Sequence, residues 1–331
     1  MLRRFAGQFL AAFFTILISA AIAKGGSAPS TLTWVKLKPA TSPSGRAAFA
    51  MGYDPVSKKI VLFGGFNAAG YLNETWTFDG TTWTRINTKI APSGRAGIML
   101  AYDAPTKKLV LFGGFANPKT LDDTWLWDGA TSQWTHAKPT TSPPPRFAAL
   151  MFTDPKTGHA GFFGGHQGVG DPGDTWLWTG SNWRRMHPVN SPLGREYAPV
   201  ALDPLAKNVV ITGGSSQFDT QNTWTWDGSN WTQQSPATQI PYIFATSATY
   251  DPDLKQVILF GGAQNTGIES QTWVWTGDDW EQMPITRSPS ARVFHGIAYD
   301  SAKHELIVFG GTDAVLGLGN LFNDTWKLVV H

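Results

Sequence analysis

The sequence predicts an all-β fold: a six-bladed β-propeller of four-stranded antiparallel blades, closed by the N-terminal strand completing the last blade. The first observation is a repeat. An apolar strand that ends in a glycine pair occurs six times, with the first glycines 49, 51, 49, 48 and 49 residues apart. A period near 50 residues indicates a repeat architecture. The second observation is composition, because 35 Gly and 22 Pro with only 15% charged residues are typical of many short strands and tight turns. The glycine pairs, predicted to be structural, are Gly64 and Gly65, Gly113 and Gly114, Gly164 and Gly165, Gly213 and Gly214, Gly261 and Gly262, and Gly310 and Gly311.

The start of the chain is predicted to be separate from the repeat. Residues 1–23 combine Arg3 and Arg4 with an uncharged apolar run that ends in small residues at Ala21 and Ala23, the pattern of a cleaved signal peptide. The alternative is a retained membrane anchor, because the apolar run approaches spanning length. Residues 24–30 are predicted to be a flexible leader, and residues 31–331 form the propeller. We therefore expect a secreted or periplasmic protein.

Each repeat contains four predicted strands. In the second copy they cover residues 97–102, 109–112, 124–127 and 134–136. The first and second strands are joined by an Asp-Pro type turn, the second and third by a loop of variable content, and the third and fourth by an Asp-Gly hairpin turn. Four antiparallel strands repeated radially describe a propeller blade. A single blade cannot bury its Trp and Phe faces, whereas a closed ring of blades does.

Closure of the ring can also be read from the sequence. A Trp precedes an inner-strand position by 12 residues in every copy, as Trp83 precedes Arg95, and Trp34 stands at the same distance before Arg46. The sixth copy ends shortly after its third-strand segment at Trp326, without a fourth-strand Trp. The N-terminal strand is therefore predicted to complete the C-terminal blade.

These features resemble the kelch repeat over residues 31–331. The shared features are a glycine pair after an apolar strand, an aromatic-rich third strand, a later Trp and a period near 50 residues. One departure is that kelch repeats usually carry a Tyr before the final Trp. In this chain a Phe or Trp fills the third strand, at Phe78, Trp127, Trp178, Trp226 and Trp275. The resemblance implies the propeller fold, but the functions of the family range from protein binding to sugar chemistry, so it leaves the activity open.

A ligand is expected on the face that carries the variable loops between the second and third strands, because variable loops on a rigid scaffold are where binding is usually placed. Tyr71 and His166 lie in such loops. Five arginines could ring the channel mouth on this face and clamp an anionic or polar ligand. The alternative is that each arginine serves its own blade. These arginines are Arg46, Arg95, Arg146, Arg195 and Arg292.

Departures from the repeat add further candidates. Ile243 replaces the arginine in the fifth copy, and Glu196 stands where the other copies carry Ala, Phe or Val. His295 is the only His on an inner strand. We therefore expect the most specific contacts near Arg195 and Glu196.

Several chemistries have no signal in the sequence. With 0 Cys, the chain has no thiol nucleophile, and the Cys–Tyr copper site of galactose-oxidase-like kelch enzymes cannot form. The 7 His show no metal-ligand spacing, so no metal and no cofactor are expected and no catalytic residue is assigned. The 26 Lys+Arg and 24 Asp+Glu are scattered, which argues against a nucleic-acid partner and against membrane contact beyond a possible uncleaved anchor. A monomer is expected.

Two functional hypotheses remain. The first is an exported, non-catalytic propeller that binds a carbohydrate or protein ligand on the variable-loop face. The second is a sugar-acid enzyme resembling kelch-fold sialic-acid mutarotases or epimerases, with an arginine clamp and Glu196 or His295 for proton transfer. A deep pocket with a converging carboxylate or His favours the enzyme, and a shallow aromatic-rimmed face favours binding.

Overall fold

A computed structural model describes residues 32–216, 220–317 and 319–330. The predicted signal peptide and leader lie outside the described residues. The strands of the first three blades, preceded by the N-terminal strand, are β1 (Leu32–Lys36), β2 (Ala50–Asp54), β3 (Lys59–Phe63), β4 (Phe66–Asn67), β5 (Gly70–Tyr71), β6 (Thr75–Phe78), β7 (Trp83–Ile86), β8 (Leu100–Asp103), β9 (Lys108–Ala116), β10 (Lys119–Asp128), β11 (Gln133–Ala137), β12 (Leu150–Thr153), β13 (Ala160–Phe163), β14 (Thr175–Trp178) and β15 (Trp183–Arg185). The remaining strands are β16 (Val200–Asp203), β17 (Asn208–Thr212), β18 (Thr223–Trp226), β19 (Trp231–Gln233), β20 (Ser247–Asp251), β21 (Gln256–Phe260), β22 (Ala263–Gln264), β23 (Gly267–Ile268), β24 (Thr272–Trp275), β25 (Trp280–Gln282), β26 (Gly296–Asp300), β27 (Glu305–Phe309) and β28 (Thr325–Val330).

These strands form six antiparallel four-stranded blades, as the repeat predicts. Blades one to five are β2-β3-β6-β7, β8-β9-β10-β11, β12-β13-β14-β15, β16-β17-β18-β19 and β20-β21-β24-β25. Blade six is β26-β27-β28-β1, with Trp34 of β1 paired to Leu328 of β28. The N-terminal strand therefore completes the last blade, and the predicted closure is confirmed. No helix in the described residues is long and apolar enough to cross a bilayer.

The variable loops are more regular in three blades than the sequence indicates. In blade two, β9 and β10 continue past the glycine pair as a long hairpin, with a register shift between Leu121 and Thr124. In blades one and five, the same loop folds as a separate two-stranded hairpin, β4-β5 and β22-β23. The apolar run that marks the second strand stops at the glycines, so this continuation carried no hydrophobic signal.

A ring of tryptophan–threonine hydrogen bonds joins neighbouring blades. The indole Nε1 of each fourth-strand Trp donates to the Thr of the third-strand Thr-Trp pair in the preceding blade. Trp134, for example, donates to Thr75 at 2.8 Å. The other five bonds are Trp183 to Thr124, Trp231 to Thr175, Trp280 to Thr223, Trp34 to Thr272 and Trp83 to Thr325. The Thr of each repeated Thr-Trp pair is therefore the acceptor, and the later Trp of the next copy is the donor, of one hydrogen bond between blades.

A second ring of hydrogen bonds surrounds the axis, just before each inner strand. One backbone N–H in every blade donates to the carbonyl of the equivalent residue in the preceding blade. The six bonds run from Gly97 to Ala48, Ala148 to Gly97, Tyr197 to Ala148, Ala245 to Tyr197, Phe294 to Ala245 and Ala48 to Phe294. All six donors have a positive φ. The ring fixes the backbone at the variable-loop end of the inner strands.

Candidate functional site

The five repeated arginines are buried inside their blades. Each side chain is at most 1% exposed. Arg146, for example, donates from Nη1 to the carbonyl of Gly164 at 3.0 Å and from Nε to the carbonyl of Pro144 at 3.2 Å. The equivalent glycine bonds run from Arg46 to Gly64, Arg95 to Gly113, Arg195 to Gly213 and Arg292 to Gly310. These contacts favour the interpretation in which each arginine serves its own blade.

In four blades the arginine also pairs with a carboxylate of the same blade. Arg146 forms two hydrogen bonds to Asp174, at 2.6 and 3.1 Å. Burial alone would raise the pKa of Asp174, but the hydrogen bond and the charge of Arg146 outweigh it and hold that pKa below its usual value. The equivalent pairs are Arg46 with Glu74, Arg95 with Asp123 and Arg292 with Asp324.

Sequence reasoning missed the acceptor side of this arrangement. The residue directly before each Thr-Trp pair is a polar acceptor in all six copies, and it also receives the indole N–H of that Trp, as Asp174 does from Trp176 at 2.7 Å. The repeated acceptor was visible in the sequence, but the arginine that it pairs with lies far away along the chain. The six acceptors are Glu74, Asp123, Asp174, Asn222, Gln271 and Asp324.

Blade four changes only the acceptor, whereas blade five changes both the arginine and the acceptor. In blade four, Arg195 donates to the neutral amide oxygen of Asn222 at 2.9 Å. In blade five, Ile243 replaces the arginine, and Gln271 stands where four of the other blades have a carboxylate. A lone buried charge is costly, so loss of the cation and loss of the anion in one blade compensate each other.

His295, predicted as a candidate, lies in the core. Its side chain is only 3% exposed, and its ring packs at 5.4 Å from that of Phe260. Burial, reinforced by the charge of Arg292, lowers the pKa of His295 to about 3. The imidazole is therefore neutral and enclosed at physiological pH.

Five aromatic rings form a connected surface at the variable-loop end of the inner strands, which we call the aromatic patch: Tyr71, Phe115, Phe147, Tyr197 and Phe294. Ring centroids are 6.0 Å apart from Tyr71 to Phe115 and 5.5 Å apart from Phe115 to Phe147. They are 6.3 Å apart from Phe147 to Tyr197 and 5.0 Å apart from Tyr197 to Phe294. Tyr71 is exposed and the other four rings are half-buried. The patch draws on blades one, two, three, four and six.

Tyr197 of blade four lies across the axis. Its ring contacts Phe147 of blade three and Phe294 of blade six, and its hydroxyl would lie 3.2 Å from a Cβ on Gly97 of blade two. Burial raises the pKa of this phenol. Tyr197 therefore occupies the centre of the aromatic patch as a neutral ring.

His166, Asp171 and Glu196, which we call the His166 cluster, border the patch. His166 Nδ1 lies 2.8 Å from Asp171 Oδ1, and the His166 ring centroid lies 5.1 Å from that of Phe147. One ligand-type atom from each of the three residues lies within 4.8 Å of the other two. Burial, and secondly the charge of Asp171, raises the pKa of Glu196 to about 7. The structure thus brings together two predicted candidates, His166 and Glu196, through a loop of blade three and the start of blade four.

A cavity of about 420 Å³ lies along the axis, enclosed by the inner strands. At the variable-loop end it is bordered by Tyr197 and Phe294, and it extends to Tyr53, Tyr102 and Tyr250 at the opposite end. No carboxylate and no Lys or Arg is among the described residues that line it. His295 is the one imidazole among the described lining residues, and no carboxylate converges on it in this cavity.

A family model described as the KLHDC2/KLHL20/DRC7 Kelch-repeats domain matches residues 28–177 of the chain. No curated protein matches the chain. The family match and the six four-stranded blades together support a kelch-repeat propeller family. The chain is a six-bladed β-propeller, and over residues 28–177 it is similar to the kelch-repeat family.

Proposed function

We propose that this kelch-type propeller is an exported, non-catalytic binding module that takes a carbohydrate on the aromatic patch. The observation that carries the proposal is the continuity of the five rings on the variable-loop face. Part-exposed aromatic rings offer flat apolar faces on which sugar rings can stack, at a low cost in side-chain entropy. Export is inferred from residues 1–23.

Polar groups beside the patch support a carbohydrate as the ligand. Asp171 and Glu196 offer carboxylate oxygens that accept hydrogen bonds from sugar hydroxyls, and His166 offers a ring nitrogen. Rings flanked by a few placed polar groups are typical of small-ligand sites. The buried arginines have no part in this proposal, because their guanidinium groups already bond within the blades.

The proposal is tested by a glycan-array and sugar-acid screen of the mature chain, residues 24–331. For any glycan that binds, Tyr71→Ala is expected to weaken the affinity about fivefold, because the exposed ring at the patch edge contributes on the order of 1 kcal/mol. Lys107→Ala and Lys207→Ala, in exposed turns at the other end of the blades, are the controls and should leave affinity unchanged. If the control variants weaken glycan binding and Tyr71→Ala does not, the site lies elsewhere. If the chain binds a protein and no glycan, the ligand is a protein and not a carbohydrate.

The competing candidate is the sugar-acid enzyme, and the observation in its favour is the His166 cluster. A hydrogen-bonded His–Asp pair facing a Glu can move protons on a bound sugar. The same preparation should be assayed by NMR for anomer interconversion and epimerisation of sialic-acid-type sugars. Turnover that is abolished in Glu196→Gln would establish an enzyme in place of a binding module.

A further inference from the structure

Two residues of the His166 cluster, His166 and Glu196, lie at paired backbone positions. His166 exchanges two backbone hydrogen bonds with Phe147, at 2.8 and 3.1 Å. Glu196 exchanges two with Ser215, at 2.8 and 2.9 Å. Both residues therefore stand at paired positions beside a blade, where side-chain direction is fixed by the backbone. Sites on such elements hold their geometry better than sites on free loops.

The carboxylates of the cluster have few partners among the described residues. In the described part of the chain, no Lys or Arg forms an ion pair with Asp171 or Glu196, and the only ion-pair partner of Asp171 is His166. Oε2 of Glu196 is buried and has no hydrogen-bond partner among the described residues. Buried carboxylate oxygens are normally satisfied by a donor or a cation, so this oxygen lacks the partner that its position calls for.

The three side chains are not a by-product of the repeat. Residues equivalent to Glu196 in the other blades are Ala47, Ala96, Phe147, Phe244 and Val293. Residues equivalent to His166 are Phe66, Phe115, Ser215, Ala263 and Thr312. Across residues 32–330 as described, this is the one group of at least three His, Asp or Glu side chains that could hold a metal ion. The seam between blades three and four is thus specialised.

We propose that His166, Asp171 and Glu196 bind a divalent first-row transition-metal ion, with Zn²⁺ as the best fit. One imidazole nitrogen and two carboxylate oxygens are donors that Zn²⁺ accepts, and two carboxylates neutralise its charge. Around Zn²⁺ such donor atoms lie about 3–4 Å apart, so the present separations need only small side-chain adjustments. Three protein donors leave a fourth position open to water or to a ligand oxygen. Ca²⁺ would require six or more oxygen donors and is a poor fit.

The test is isothermal titration of the chelator-stripped mature chain with Zn²⁺ alone, followed by Co²⁺ absorption spectra. The expected result is one bound ion per chain. The Co²⁺ absorption bands should be those of an ion with a low coordination number. Glu196→Gln and, separately, His166→Ala are each expected to weaken Zn²⁺ binding about 100-fold or more, since even the loss of an outer-shell contact costs 10–100-fold. Circular dichroism of each variant checks that it is folded.

The matched control is His304→Asn. His304 Nδ1 lies 3.1 Å from Asp253 Oδ1, and this pair forms a second, more exposed His–Asp pair in the turn region of the blades. The substitution should leave Zn²⁺ affinity unchanged. Absence of stoichiometric binding would overturn the proposal, as would binding that survives in both cluster variants or is lost in the control. No glycan is present in the titration, so failure here leaves the carbohydrate proposal standing.

Discussion

Gly113 shows how tightly one residue of the glycine pair is constrained. Its φ is +65°, and a Cβ at this position would lie 2.4 Å from the carbonyl oxygen of Arg146 and 3.0 Å from that of Leu121. That same Arg146 carbonyl accepts a hydrogen bond from the N–H of Gly114 at 2.9 Å. The glycine therefore permits both the backbone turn and the close approach of the next blade.

Gly113→Ala should lower the free energy of unfolding by about 1–3 kcal/mol, because the left-handed conformation and the contact with the Arg146 carbonyl both oppose a side chain. Gly168→Ala is the matched control, since Gly168 has a φ of +86° but no atom within 4 Å of a Cβ. Urea unfolding measures both variants. Equal losses would mean that the close approach has no energetic weight.

Glu196 and His166 illustrate what single residues reveal and what they conceal. Each could be recognised in the sequence because it departs from a repeat. Their proximity could not, because it depends on how blade four packs against blade three and on the loop that brings Asp171 back to His166. No sequence spacing encodes that arrangement.

At the scale of the blade, the arginine and its acceptor form one unit with the glycine carbonyl and the third-strand Trp. Blade five lacks the ion pair and still forms a four-stranded sheet, with Ile243 buried at 1% exposure and Gln271 accepting the indole N–H of Trp273 at 3.0 Å. A buried ion pair can be replaced by well-packed groups without loss, whereas removal of one partner is strongly destabilising.

Arg146→Ala is therefore expected to destabilise the protein by about 3–5 kcal/mol, because Asp174 is left without its cation. The double variant Arg146→Ile with Asp174→Gln copies blade five and should recover at least half of that loss. Arg184→Ala, an exposed arginine on β15 of the same blade, should change stability by less than about 0.5 kcal/mol. Thermal melts in which Arg146→Ala matches Arg184→Ala would contradict the structural role of the buried arginine.

The whole molecule could be predicted from the sequence more fully than its site. Closure, blade number and strand order follow from a repeat that recurs six times, and each is confirmed. The long β9-β10 hairpin was missed because its extension beyond Gly114 has little apolar periodicity. The arginines were ambiguous because their sequence position is the same whether the side chain points into a channel or into its own blade. Their burial and their hydrogen bonds within the blades favour the second interpretation.

Ring closure predicts a measurable contribution from β1. Deletion of residues 24–38 would leave β28 as an unpaired edge and would remove the buried Trp34 with its bond to Thr272 of blade five. The denaturant midpoint of the truncated chain should fall below that of the mature chain. Deletion of residues 24–30 alone keeps β1 and is the control. If both deletions have the same midpoint as the mature chain, β1 contributes nothing to stability.

The pairing of β1 with β28 also sets an order for biosynthesis. The first strand of the propeller is synthesised long before its partner, because blades one to five lie between them in the sequence. Until β28 is in place, the blades form an open arc in which Trp83 of blade one lacks its bond to Thr325. A nonsense codon shortly before position 325 would therefore remove β28 and leave β1 without the strand that it pairs with. The pairing of β28 with β1 therefore decides whether the other five blades become a closed ring.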